Sequence, residues 1–268
     1  MNTTTAQIFR ALHQPGNPFI LANAWDMGSA KMLAALGADA IATSSAAHAF
    51  TLGRTDGQIS RDEALCHAAD LVGAVNLPVS GDFENGFGQA PDYVAQTVRL
   101  AGEAGLAGIS IEDVAPPDVV YDFDLAVERI RAAASAARTM SGDFLLVARA
   151  DGVMNGHYDI EEALRRIQAF DAAGADCLYV PMTRTTQDIA RVCAATSKPV
   201  NALAAGPYTK LTRADFAKLG VARISLGSAL ARVTHRAVYD AANAMFKKGD
   251  FTPLGQSIAG DKIDGLIS

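Results

Sequence analysis

The stretch Ala104-Gly105-Leu106-Ala107-Gly108-Ile109-Ser110-Ile111-Glu112-Asp113 decides the fold. A glycine closes a helical segment, a short run with β-branched isoleucines follows, and two acids stand where the run ends. That is the order of a crossover helix, its C-cap, a buried parallel strand and a strand-end loop. The same glycine punctuation recurs in Leu36-Gly37-Ala38-Asp39, Ala173-Gly174-Ala175-Asp176 and Leu219-Gly220-Val221-Ala222. Repetition at intervals of several tens of residues points to repeated β/α units.

Working outward, eight such apolar runs can be counted: Pro18–Asn23, Ala38–Thr43, Pro78–Asp82, Gly108–Glu112, Phe144–Arg149, Cys177–Pro181, Pro199–Leu203 and Arg223–Leu226. Helical segments fill the spaces. Ser60–Val75 opens with Ser-Arg-Asp-Glu, a capping-box spacing, and Pro91–Ala104 places Pro-Asp in its first turn. Eight strands alternating with helices predict an α/β fold, a (β/α)8 TIM barrel occupying residues 1–268 as one domain. An open doubly wound sheet shows the same local alternation, but no Gly-x-Gly-x-x-Gly turn follows the first run. A long last helix, about Ser228–Lys248, leads into a tail from Gly249 to Ser268.

Composition agrees with a large buried core: 50% of the residues are hydrophobic and 19% charged. A net charge of −6 without a basic run argues against a nucleic-acid partner. No charged start followed by an apolar stretch marks a leader, and no apolar run has membrane-spanning length, so a cytoplasmic protein without a membrane partner is expected. Cys66, Cys177 and Cys193 are far apart and lack metal-ligand spacing, which predicts reduced, buried thiols.

In a barrel the chemistry belongs at the C-terminal ends of the strands. Read strand by strand, the polar residues there are Asn23, then Ser44 and Ser45, then Asp82 and Glu84, then Glu112 and Asp113, then Arg149 and Asp151, and Asn201. Acids converging at one rim repel one another unless protons or a cation neutralise them. Asp82, Glu84 and Glu112 offer hard oxygen ligands suited to Mg²⁺, with Mn²⁺ as a substitute, and not every acid need touch the ion. Arg149 is either a clamp for a substrate carboxylate or the partner that neutralises the acids. Asp, Asn and Ser also follow strands simply as caps and turns, a reading that stays open for Asp113, Asp151 and Asn201.

Three motifs in order, Asp82-Phe83-Glu84-Asn85-Gly86-Phe87-Gly88, Ile111-Glu112-Asp113 and Val147-Ala148-Arg149, resemble those of the isocitrate lyase and phosphoenolpyruvate mutase superfamily. The resemblance covers nearly the whole chain. It implies a Mg²⁺-dependent barrel enzyme acting on small 2-oxo or 2-hydroxy carboxylates through an enolpyruvate-like intermediate. It also implies Asp82 as the metal-binding acid, Glu84, Glu112 and Asp56 as acids acting on the ion through water, and Ser44, Ser45 and Ala46 as the segment that holds a substrate carboxylate beside Arg149. Asn201 is a further substrate-binding candidate. Relatives form dimers or tetramers by exchanging the eighth helix, so a homodimer or homotetramer is expected.

The chain departs from the lyase pattern in the loop after the fourth strand, where Val114–Asp122 contains neither the Lys nor the Cys of the Lys-Lys/Arg-Cys-Gly motif. Ala42 replaces an aromatic base, the loop lacks the Lys and Asn of phosphonate-acting relatives, and Pro181 stands where those relatives have a His. What remains is chemistry that a metal can drive alone, such as decarboxylation of oxaloacetate or related C–C cleavage of a chelated 2-oxo acid. Tyr121, His48, His157 and water are the candidate proton donors. C–P chemistry on phosphonopyruvate, a non-catalytic 2-oxo acid binding barrel, and phosphate binding at Leu226-Gly227-Ser228-Ala229 are the alternatives.

Overall fold

In the computed structural model, which describes residues 4–268, the eight apolar runs close into a parallel barrel. The strands are β1 (Phe19–Asn23), β2 (Ala40–Ala42), β3 (Val79–Asp82), β4 (Gly108–Glu112), β5 (Leu145–Arg149), β6 (Cys177–Tyr179), β7 (Val200–Leu203) and β8 (Arg223–Ser225). Closure comes from β8 pairing with β1, Phe19 beside Arg223 through Leu21 beside Ser225. Pro18, Pro78 and Pro199 fall just outside β1, β3 and β7 because they have no N–H to give the ladder.

The helices follow their local signals. Ser60 caps Arg61–Ala74 in a reciprocal box with Glu63, and Pro91 opens Pro91–Glu103. Gly37, Gly105, Gly174 and Gly220 end their helices with φ between +87° and +104°, a region that strains other residues. Gly108 has a different reason. A Cβ there would lie 2.2 Å from the Leu145 carbonyl oxygen, so glycine lets β4 and β5 approach.

Helix Thr5–Leu12 seals the lower end of the barrel, where Phe9, His13 and Phe19 meet edge to face with ring centroids 4.7 to 6.1 Å apart. Above this floor the inward residues are small or polar, including Ala42, Ser80 and Ser110, and the upper barrel is hollow. A two-stranded hairpin, Val114–Ala115 with Val119–Val120, roofs part of the opening.

The last long helix, Ala229–Lys248, buries only Ala231 and leaves Val233, Val238, Tyr239 and Phe246 exposed, the last at 85%. The tail forms a 3₁₀ turn, Thr252–Gln256, and a helix, Gly260–Ile267, that packs on Met27–Ala35 where Lys31 Nζ donates to the Ile267 carbonyl at 2.8 Å. Among the cysteines, Cys177 is buried and Cys193 half-buried, but Cys66 is exposed, because it falls on the outer face of Arg61–Ala74. No helix among the described residues is long and apolar enough to cross a membrane.

Candidate active site

The hollow upper barrel is a cavity of about 820 Å³ lined by six carboxylates, Asp56, Asp82, Glu84, Glu112, Asp118 and Asp151, and two guanidiniums, Arg149 and Arg223. Register explains the convergence: Asp82 pairs with Ser110 on β4, and Glu112 pairs with Arg149 on β5. Arg149 is the hub. Its Nη1 lies 3.0 Å from Asp82 Oδ1 and 2.8 Å from Glu112 Oε1. Its Nε and Nη2 donate to Asp151 at 3.0 and 2.6 Å, a bidentate pair. Of the two roles left open by the sequence, the guanidinium here neutralises acids.

The opposite oxygen of Asp82 accepts from the Ser45 backbone N–H at 3.0 Å and from Ser45 Oγ at 2.9 Å. Ser44 Oγ is engaged as the N-cap of Ser45–Thr51, accepting from the Ala47 N–H at 3.3 Å. Glu84 is held at φ +46°, a strained conformation for an L residue, with its Oε1 buried and without a partner. The loop carrying it is tied down by Arg129, fully buried, which donates to the carbonyls of Gly88 (2.6 Å), Gln89 (2.5 Å) and Asn85.

The charges do not balance, and the acids show it. Burial, then the charges of Asp82 and Asp56, push Glu84 up to about 7 from its ordinary 4.5. Burial pushes Glu112 well up against the pull of Arg149, and pushes Asp151 up to about 6. At the mouth, the cavity wall and then Asp82 raise Asp56, whose Oδ1 accepts from the Gly57 N–H at 3.0 Å. No set of three or more His, Cys, Asp or Glu among the described residues could enclose a metal by itself. Mg²⁺ nevertheless fits: it keeps several waters, and a buried carboxylate oxygen with nothing to bind is the kind of group a hydrated cation satisfies.

Other candidates lie elsewhere. Tyr121 does not reach the cavity; its hydroxyl accepts from Asn85 Nδ2 at 2.8 Å and its ring lies under Arg129, 4.0 Å from the guanidinium carbon. Burial among the helices behind β3 and β4 makes it a support for the acidic loop, correcting its place as a proton donor. Asn201 also falls outside the lining, since its Oδ1 accepts from Arg223 Nε at 2.8 Å and its Nδ2 donates to Ser225 Oγ at 2.9 Å. His48 stacks on His67 at 3.7 Å, away from the cavity, while His157 reaches Asp118 of the roofing hairpin at 2.8 Å. Asp113 is a framework acid, taking Tyr158 OH at 2.7 Å, the Asp151 N–H at 2.8 Å and Arg166 at 3.0 Å. Thr55, Asp56 and Ala46 do line the cavity, as do Ser44 and Ser45.

Sequence reasoning missed Tyr179, Arg223 and Arg129. Tyr179 lies two residues short of Pro181, where the sixth apolar run was read to end, Arg223 stands at the start of its strand rather than at the rim end, and Arg129 sits in a helix, so no polar residue at a strand C-terminus marks them. Tyr179 lines the cavity beside Arg149, whose guanidinium carbon is 5.2 Å from the ring, and burial pushes its hydroxyl up to about 12.

A closed parallel barrel with acids and an arginine gathered at one rim defines a class of barrel catalysts, and comparison gives the family. Residues 9–246 match the phosphoenolpyruvate phosphomutase family, and the chain belongs to it, within the isocitrate lyase and phosphoenolpyruvate mutase superfamily. A Burkholderia cenocepacia J2315 protein provisionally described as a lyase/mutase superposes with a TM-score of 0.95 at 43% identity, over 98% of this chain and 95% of that one. The 2,3-dimethylmalate lyase of Eubacterium barkeri is 31% identical over 70% of this chain and 67% of its own. An oxaloacetate decarboxylase of Chromohalobacter salexigens is 29% identical over 87% of this chain and 82% of its own.

Proposed function

We propose that the protein is a Mg²⁺-dependent carbon–carbon lyase that cleaves a small 2-oxo or 2-hydroxy carboxylate of the oxaloacetate type through an enolate. The observation that carries this is the surplus of cavity carboxylates around Arg149, with Glu84 left unpartnered and strained. Mg²⁺ would be held by Asp82, with Glu84 and Glu112 acting through water, and supplies Lewis-acid stabilisation of the negative charge that develops on the substrate carbonyl oxygen. The similarity to a dimethylmalate lyase and an oxaloacetate decarboxylase supports the same bond type.

The chain's own groups do the rest. Ser45 N–H and Oγ, which now satisfy Asp82, turn to a substrate carboxylate when Asp82 takes another partner. Arg149 keeps Asp82, Glu112 and Asp151 fixed and offsets part of their charge, so that a divalent cation has less to reverse before an anionic substrate binds. The hairpin of Val114–Val120, tied down by Asp118 to Asn155 Nδ2 (3.1 Å) and His157, limits water at the mouth. Tyr179, whose raised pKa keeps it protonated, is the phenol placed to protonate the product carbanion.

We also propose that a second copy of the chain covers Val233, Val238, Tyr239 and Phe246, giving the homodimer or homotetramer expected from the superfamily. The test of activity is incubation with oxaloacetate, 2,3-dimethylmalate and phosphonopyruvate, each with Mg²⁺ and with chelator. Mg²⁺-dependent release of pyruvate and CO₂ from oxaloacetate, or C–C cleavage of the malate, is expected. Phosphate release from phosphonopyruvate with neither of these would replace the reading by C–P chemistry.

A further inference from the structure

Arg223 is 4% exposed, inside the barrel, and lines the lower wall of the cavity. It makes no ion pair among the described residues. Its Nε donates to Asn201 Oδ1 at 2.8 Å, and its buried Nη1 has no partner. A guanidinium cannot shed its proton, and leaving one buried without a counter-charge is costly, so a protein that keeps it there uses it.

The structure around Arg223 holds it in place without neutralising it. Asn201 presents its amide oxygen to Arg223 because its Nδ2 is given to Ser225 Oγ at 2.9 Å. Below lie Phe9, Phe19 and His13, and His13 is kept neutral by burial, then by the charge of Arg223 itself, its pKa lowered to about 3. The floor therefore offers no anion. From above, the cavity is open to it past Ser80, Ser110 and Ser225, hydroxyls that can share an anion's remaining lone pairs.

Register places Arg223 in a single row with Asn201, Tyr179, Arg149 and Glu112 across β8, β7, β6, β5 and β4. Because barrel strands tilt, such a row climbs the wall, and Arg223 stands at its low end while Glu112 stands at the rim. Of the two described guanidiniums that line the cavity, Arg149 is paired with the acids at the top, and Arg223 makes no ion pair and is open to a ligand.

We propose that Arg223 and the serines around it form a second anion subsite beneath the acidic rim, which takes the far carboxylate of a dicarboxylate substrate. The inference rests on the lyase reading and narrows it: the substrate carries a carboxylate remote from the reacting end, and the subsite orients it down the barrel. Arg223 is a binding and specificity residue, and Asn201 positions it.

The test compares wild type with Arg223→Met, which removes the charge at similar volume, and Arg223→Lys, which keeps it without the fork. Binding of malonate, succinate, oxalate, formate and chloride, each with Mg²⁺, is read by thermal shift and calorimetry. Loss of a charge-assisted pair weakens malonate or succinate roughly 10- to 150-fold in the Met variant, while oxalate, too short to span both subsites, binds as before. The Lys variant recovers part of the loss. Folding is controlled by the ligand-free melting temperature, which rises or holds in Arg223→Met because an uncompensated charge is gone. Equal malonate and succinate affinity in wild type and Arg223→Met overturns the proposal, as does an Arg223-dependent shift given equally by formate or chloride alone, which would mark a site for free anions. Failure of oxaloacetate turnover with intact Arg223-dependent succinate binding would remove the lyase reading and leave the subsite standing.

Discussion

Glu84→Gln tests the claim that the rim is built with more negative charge than the protein alone can satisfy. The substitution keeps shape and removes one ionisable oxygen from a side chain that is 6% exposed. An acid whose pKa is higher folded than unfolded binds its proton more tightly when folded. Its penalty is absent below the ordinary 4.5, grows as pH rises and is complete above about 7. That displacement, at about 1.4 kcal/mol per tenfold change in proton affinity, makes ionised Glu84 cost the metal-free fold about 3 kcal/mol.

Urea unfolding in chelator at pH 5 and pH 8 reads this directly. Wild type loses stability between the two, and Glu84→Gln loses about 2.5 kcal/mol less, since a part of the penalty is already present at pH 5, giving a flatter profile with an unchanged urea slope. Mg²⁺ at pH 8 then stabilises wild type more than the variant, because the hydrated ion binds the folded state with the help of a negative charge that Gln lacks. Parallel pH profiles for the two proteins, with equal Mg²⁺ gains, would refute the idea that Glu84 is an unneutralised acid awaiting a cation.

Arg149→Met leaves Asp82, Glu112 and Asp151 buried without their shared cation and is expected to cost about 3–5 kcal/mol and all turnover; a urea midpoint within error of wild type would count against the hub role. Arg129→Met deprives three loop carbonyls of their donor and should cost on the order of 3 kcal/mol while loosening the Glu84 loop, which hydrogen exchange of residues 84–89 would report. Val238→Asp, on the exposed face of Ala229–Lys248, should shift sedimentation to the monomer with the far-UV spectrum unchanged; an unaltered mass would mean this helix face is not covered by a second copy. Tyr179→Phe should lower kcat more than KM, and a variant with wild-type kcat would move product protonation to another group.

The barrel was legible because its signals are local. Prolines before strands, glycines after helices and β-branched runs between them each act within a few residues, and all eight strands fall inside the runs read from the sequence. Asp82, Glu84, Glu112 and Arg149 were legible for the related reason that strand ends of a barrel meet at one rim. Tyr121 was misplaced because its neighbours in sequence belong to the roofing hairpin while its ring turns inward to Arg129, a contact made across 8 residues of chain that no spacing reveals. Arg223 was invisible in a run ending at Leu226, since a single arginine at a strand start reads as a surface residue until the closure of β8 on β1 turns it inward.

The rim and the barrel interior then have opposite signs, and that asymmetry has a consequence for orientation. A dianion entering past Asp118 and Asp56 meets acids first, and its reacting end is held at the top only where a divalent cation reverses the local charge. Its other end is drawn downward to Arg223, a cavity-lining cation that makes no ion pair among the described residues. With the ion absent the same field repels the reacting end and still attracts the far one, so a dicarboxylate would bind by one end without reacting. Metal should therefore change kcat/KM far more than it changes the affinity for succinate, a separation that equilibrium binding with and without chelator measures directly.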